Sequence, residues 1–243
     1  MTNMKKLMLS TTLAGLFAFT LSFQAHAQSA SPLVYGVQLD ELELRRGDEK
    51  ENLAAWSLDA FTGNDEVRVH WLSRGLYDRK SASFEDLENQ LVAQVPISSF
   101  FDVRAGVRVD TPKGPNRWYG VVGLTGLAPQ WVDVEADLFV SEKGNGSARL
   151  KAEYELLITN RLILTPSADL NIAFSDDANI EIQSGPTSTE LGLRLSYDVV
   201  DRLFSPYVGV VYESKLGDTA DLARSEGKDF QTWFGVVGTK MVF

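Results

Sequence analysis

Between Trp131 and Glu142 the chain reads W-V-D-V-E-A-D-L-F-V-S-E, so that Val132, Val134, Ala136, Leu138 and Val140 alternate with Asp133, Glu135, Asp137 and Ser141. Successive side chains of a β-strand point to opposite faces, and a period of two therefore marks a strand with one apolar and one polar face. After the turn signal Lys143-Gly144-Asn145-Gly146 the alternation resumes, with Ala148, Leu150, Ala152, Tyr154, Leu156 and Ile158 set against Ser147, Arg149, Lys151, Glu153 and Glu155. A helix would scatter Arg149, Ala152 and Glu153 over every face. Carried along the chain, the pattern predicts twelve strands, near 35–46, 53–62, 66–78, 84–95, 101–110, 117–126, 131–141, 147–158, 161–174, 187–199, 205–216 and 230–243. The first is the least regular: its apolar phase slips between Leu39 and Leu42, which points to a bulge or a misplaced start. No segment shows a helical period, and no linker divides the chain.

The N-terminal segment stands outside this pattern. Lys5 and Lys6 precede an apolar run from Leu7 to Phe23, and Ala25-His26-Ala27 supplies a small-x-small cleavage site. Residues 1–27 read as a secretory signal peptide and 28–243 as a single domain. Loss of the two lysines takes the net charge from −10 to −12, and His70 and Met241 are then the only histidine and methionine left.

Composition excludes several chemistries. There is no cysteine, hence no disulfide framework and no thiolate metal site or nucleophile. An acidic chain is a poor match for nucleic acid, whose phosphates need clustered Lys and Arg. A mean hydropathy of −0.10 excludes a bundle of membrane-spanning helices but not a membrane β-barrel, whose alternating strands average to neutrality.

A soluble sandwich and a membrane barrel share such strands. Connection lengths favour the barrel: about three, five, four, two and five residues follow the even-numbered predicted strands, and about six, five, six, five, twelve and thirteen follow the odd ones. The expected architecture is an all-β antiparallel transmembrane barrel of about twelve strands, with short periplasmic turns and longer outer loops. Strands of about ten to fourteen residues are long enough to cross the hydrocarbon, which takes about 9–11. Aromatics such as Tyr35, Trp118, Trp131, Phe174, Trp233 and Phe243 fall near strand ends, as interfacial girdles require, while Trp56 and Trp71 are more central.

Longer phrases carry a family resemblance. F-D-V-R-A-G-V-R-V-D at 101–110, G-L-A-P at 126–129, D-L-F-V-S-E-K-G at 137–144, S-A-R-L-K-A-E-Y-E-L-L-I-T-N-R-L-I-L-T-P at 147–166 with the Ser-Asp-Asp at 175–177, E-L-G-L-R-L-S-Y at 190–197, and S-P-Y-V-G-V-V-Y-E-S-K-L-G-D-T-A-D-L-A-R at 205–224 resemble the outer-membrane copper resistance protein B family. The resemblance implies an outer-membrane barrel linked to copper tolerance. Outer-membrane lipid, copper ions and periplasmic copper-resistance proteins are the partners it implies, and a copper ion the only cofactor. Many members carry an N-terminal region rich in Met and His. Here Gln28 to Leu33 holds neither, and tight copper binding needs about three or four converging N or S ligands. The expected role is a passive or accessory one in copper homeostasis; the alternative is a narrow general pore or structural barrel with no metal role.

Turning the polar phase inward places Asp59, Arg68, His70, Arg74, Asp86, Glu88, Asp102, Arg104, Arg108, Asp133, Glu135, Asp137, Arg149, Lys151, Glu153, Glu155, Asp169, Glu190, Arg194 and Asp198 in the lumen. Most of these charges are expected to pair with one another. Asp133, Glu135 and Asp137 on one strand, with Glu153 and Glu155 on the next, form an acidic stripe that would attract cations, and together with His70 they are the candidate metal-facing residues. His70 is also the only candidate general base. It faces the polar side and no G-x-S-x-G motif accompanies it, so no enzyme is expected. The loop at 217–224 is expected outside the cell, with Asp218 or Asp221 pairing Arg224.

Overall fold

A computed structural model describes residues 32–48, 51–111 and 116–243. The signal-peptide expectation for 1–27 lies outside them. The strands are β1 (Val34–Gly47), β2 (Asn52–Gly63), β3 (Arg68–Asp78), β4 (Ser83–Pro96), β5 (Phe101–Thr111), β6 (Arg117–Ala128), β7 (Val132–Ser141), β8 (Gly146–Tyr154), β9 (Leu156–Leu157), β10 (Leu162–Ala173), β11 (Gly185–Tyr197), β12 (Phe204–Lys215) and β13 (Gln231–Val242). Each pairs antiparallel with its neighbour, and β1 pairs with β13, so the sheet closes on itself. β8 and β9 are two pieces of one stave, and the ring is a twelve-stranded barrel.

That break corrects the single strand expected over 147–158. In the register of β10, Glu153 lies opposite Ser167 and Leu156 opposite Leu164, which leaves Pro166 facing Tyr154. Proline has no N–H to donate, so the ladder lapses there before resuming.

The bulge in β1 falls where the apolar phase slips, between Leu39 and Leu42. It turns the consecutive residues Asp40 and Glu41 both into the barrel, where they line cavities.

The expected difference in connection length is concentrated in two loops, 174–184 and 216–230. The other connections on that end are as short as those on the end that carries both termini. The second long loop also contains what the sequence did not suggest, a helix α1 over Gly217–Ser225, with Asp218 in its first turn and Arg224 in its last. Ala220 and Ala223, three apart, are buried, and Arg224 pairs with Asp221 at 2.5 Å, one of the two partners expected. That i, i+3 spacing was the available signal.

Burial is inverted relative to a soluble fold. Val122, Leu138, Leu91 and Val208 are more than half exposed, while Glu43, Arg45, Glu88, Arg104, Asp137 and Arg194 are buried. No helix among the described residues is long and apolar enough to cross a membrane; the strands carry the apolar surface. Exposed aromatics ring both ends, Phe84, Trp118, Phe174 and Trp233 on one and Tyr35, Phe100, Trp131, Phe204 and Phe243 on the other. The two central tryptophans have specific seats on the outer face. Trp71 donates its indole N–H to Asn89 at 3.2 Å. Trp56 lies flat over Gly75, where a Cβ would come within 2.1 Å of its ring.

Candidate functional site

The inner wall carries three ion-pair networks. On one side, Glu43 lies between Arg45 (Nε 2.7 Å) and Arg194 (Nε 3.1 Å, Nη2 3.0 Å) and accepts a fourth bond from the Tyr207 hydroxyl at 2.8 Å. Arg45 also reaches Glu190 at 2.9 Å and Glu213 at 2.6 Å. Across the barrel, Arg104 grips Asp137 through Nε at 2.8 Å and Nη2 at 2.5 Å and touches Glu135 at 2.7 Å. Gly123 makes room for that arrangement, since a Cβ there would sit 1.9 Å from the Asp137 carboxylate. Glu88 holds Arg149 and Arg108, both at 2.8 Å, and these guanidiniums lie over the Phe139 ring at 5.5 and 4.5 Å. Planar guanidiniums suit such sites because they bond a carboxylate with one edge and stack with a face.

The acidic stripe forms as expected, but its neighbours dilute it. Asp133, Glu135 and Asp137 occupy successive inward positions of β7, in register with Glu153, Lys151 and Arg149 of β8. Glu135 and Asp137 are held by Arg104, Glu153 by Lys240 at 2.7 Å, and Glu155 by Arg202 at 3.1 Å. Asp133 alone of the five has no ion pair within 4 Å among the described residues. His70 is buried in the lumen, its Nδ1 donating to Asp59 at 2.9 Å and its ring stacked on Phe61. Its Nε2 has no hydrogen-bond partner among the described residues. Among the described residues no group of three or more His, Asp or Glu is arranged to hold a metal ion.

Asp198 is buried in the same phase as Arg194 and Ser196. It follows the end of β11 and accepts a bond from the Arg202 backbone N–H at 2.7 Å, closing the turn 198–203. Glu43, Arg45, Glu213 and Lys240 also belong to the lumen and escaped the sequence reading. The phase slip in β1 hid the first two.

Two cavities occupy the remaining space. One, of about 390 Å³, opens toward the long loops; the other, of about 450 Å³, lies toward the termini. Six carboxylates, Asp40, Asp59, Asp133, Glu135, Glu153 and Glu155, line the second against three cations, Lys151, Arg202 and Lys240. The first has six, Glu41, Asp86, Asp169, Glu190, Glu213 and Asp229, against Arg45, Arg74, Lys151 and Lys215. Both are net acidic, a polarity that concentrates cations.

Asp177 pins the loop 174–184 over the rim. Its carboxylate is gripped by both terminal nitrogens of Arg117, accepts from Asn145 Nδ2 at 2.8 Å, and takes the Asn179 backbone N–H at 3.1 Å. The Arg117 bonds outweigh the opposing effect of burial and hold this carboxyl well below the usual carboxylate range. A depressed value in the folded state stabilises the loop above the ordinary carboxylate pKa and loses that contribution only as pH falls through the depressed value. The loop is therefore expected to resist proteinase K at neutral pH and pepsin near pH 4. Asp177→Asn is expected to make it cleavable at neutral pH, and unchanged protection in that variant would remove Asp177 as the pin.

This is a closed antiparallel barrel, apolar outside and charged within, of the outer-membrane class. Its fold is similar to that of the NanC porin (TM-score 0.53, 12% identity, covering 86% of this chain and 99% of that one) and the KdgM porin (TM-score 0.51, 11% identity, the same coverage). The family model described as copper resistance protein B precursor matches residues 33–243, and the chain belongs to that family. It is 39% identical to copper resistance protein B from Escherichia coli over 91% of this chain and 74% of that protein. It is 37% identical to the copper resistance protein B homolog of Pseudomonas syringae pv. tomato over 84% of this chain and 68% of that one.

Proposed function

We propose that the chain, exported by cleavage of residues 1–27, lies in the outer membrane with its termini toward the periplasm and contributes to copper tolerance as a passive route for cations, without a tight copper site of its own. The net-acidic lining of both cavities is the observation that carries this reading: it raises the local concentration of cations, and bare carboxylates hold Cu(II) loosely. His70 and Met241 cannot share a site, because His70 faces the lumen and Met241 falls in the lipid-facing phase of β13. Asp133, Glu135, Asp137, Glu153, Glu155 and His70 act here as a diffuse attracting surface. The acidic cavity at the terminus end is where periplasmic copper-resistance proteins would take up or deliver the ion.

The density of ion pairs supports a second reading, a narrow or structural barrel with no metal role. Growth on copper separates the two. A strain lacking the protein is expected to be more copper-sensitive and to be restored by the wild-type gene; unchanged sensitivity sinks the copper reading. Copper titration of the mature barrel by calorimetry is expected to show only weak binding, and a saturating tight site would overturn the passive route.

A further inference from the structure

The two cavities share one wall residue. Lys151, midway along β8, lines both the cavity at the loop end and the cavity at the terminus end. In register it faces Glu135 on β7 and Asp169 on β10. Yet its side chain takes part in no ion pair within 4 Å and no hydrogen bond among the described residues. Six other inward cations are held closely: Arg45, Arg104, Arg108, Arg149, Arg194 and Lys240 each have a carboxylate oxygen between 2.5 and 3.0 Å.

One further cation stands at the same level. Arg74 lines the loop-end cavity and reaches from β3 to Glu135, a wall residue of the terminus-end cavity, at 3.7 Å, beyond hydrogen-bonding distance. Two long, flexible side chains thus stand where the cavities adjoin, one unpaired and one in a single loose contact among the described residues. Around Lys151, Glu41 and Asp169 line the loop-end cavity with it and Glu135 and Glu153 the terminus-end cavity.

We infer that Lys151, with Arg74, is the gate and selectivity element of the lumen: its ammonium rests as a tethered ion in the acidic waist that any passing cation must cross. The inference rests on the pore reading above. A lysine head on four methylenes is a mobile point charge, unlike a guanidinium held by two bonds. Opening the waist needs only rotation of side chains, which is fast, and no movement of a strand. A fixed ring of charge at a narrowing sets which ions pass, so the tethered cation slows small hydrated cations that the acidic vestibules attract.

Single-channel recording of the mature protein in planar bilayers, with potassium chloride as the probe, tests this. Lys151→Gln is expected to raise potassium conductance several-fold and to move the reversal potential in a salt gradient toward the potassium equilibrium value. Arg74→Gln should move in the same direction as Lys151→Gln. The chain has no cysteine, so Lys151→Cys places a single thiol at the waist. That variant should open like Lys151→Gln and close again when a cationic methanethiosulfonate restores the charge. Heat-modifiable gel migration confirms that each variant is a folded barrel. Equal conductance and reversal potential in wild type and Lys151→Gln overturns the gate. If both conduct, the pore reading stands without it; if both are silent, the pore reading falls as well.

Discussion

Replacing Arg45 by methionine, which keeps most of the volume and removes the charge, is expected to cost the barrel about 3–5 kcal/mol. Arg45 is 5% exposed and bonds three carboxylates, Glu43, Glu190 and Glu213. Without it, Glu43 and Glu190 are left to Arg194, and Glu213 loses its only ion pair within 4 Å among the described residues. The cost is that of taking one partner from the buried Glu43 and stranding the half-buried Glu213 rather than the net worth of a salt bridge, since a well-packed apolar replacement of the whole cluster could be neutral. The measurement is urea unfolding in lipid vesicles followed by tryptophan fluorescence, with heat-modifiable migration as a second readout. Adding Glu213→Gln to Arg45→Met is expected to recover part of the loss, because one stranded charge is removed. A stability within 0.5 kcal/mol of wild type in the single variant, on the order of an ordinary surface change, would mean that the cluster is solvated and the lumen open at that level.

The outer face gives the second large effect. Val122 lies at the middle of β6, opposite Leu138 on β7, and both are more than half exposed. In hydrocarbon, Val122→Arg is expected to destabilise the barrel by about 2–4 kcal/mol, whereas near the interface the same change would cost about 0–1. If this face met water instead, an arginine at so exposed a position would change stability by roughly 0.5 kcal/mol or less. One substitution therefore separates a lipid-facing wall from the outside of a soluble barrel, and equal stability of Val122→Arg and wild type in vesicles would reject the membrane assignment.

The strands were legible because each residue declares its face by the parity of its position. Even the bulge in β1 showed, as the slip between Leu39 and Leu42. Where reading failed, a different physical signal was competing. Pro166 interrupts the stave opposite it although the apolar alternation runs on past it. Helix α1 spans only Gly217–Ser225, too short for a periodic signature, and its buried Ala220 and Ala223 are small.

The candidate site divides along the same line. Alternation alone placed Asp133, Glu135, Asp137, Glu153 and Glu155 on one face. It could not show that Arg104, more than thirty residues before Asp137, would neutralise two of them. Nor could it show that Lys240 would reach Glu153.

The two-faced strand, its approximate length and the inventory of charges on the polar face thus follow from residue order alone. Period two encodes a side and carries no information about partners. Only the closed barrel decided which charges meet, because pairing β1 with β13 brings Arg45 to Glu190, 145 residues away, and leaves Lys151 alone between two cavities.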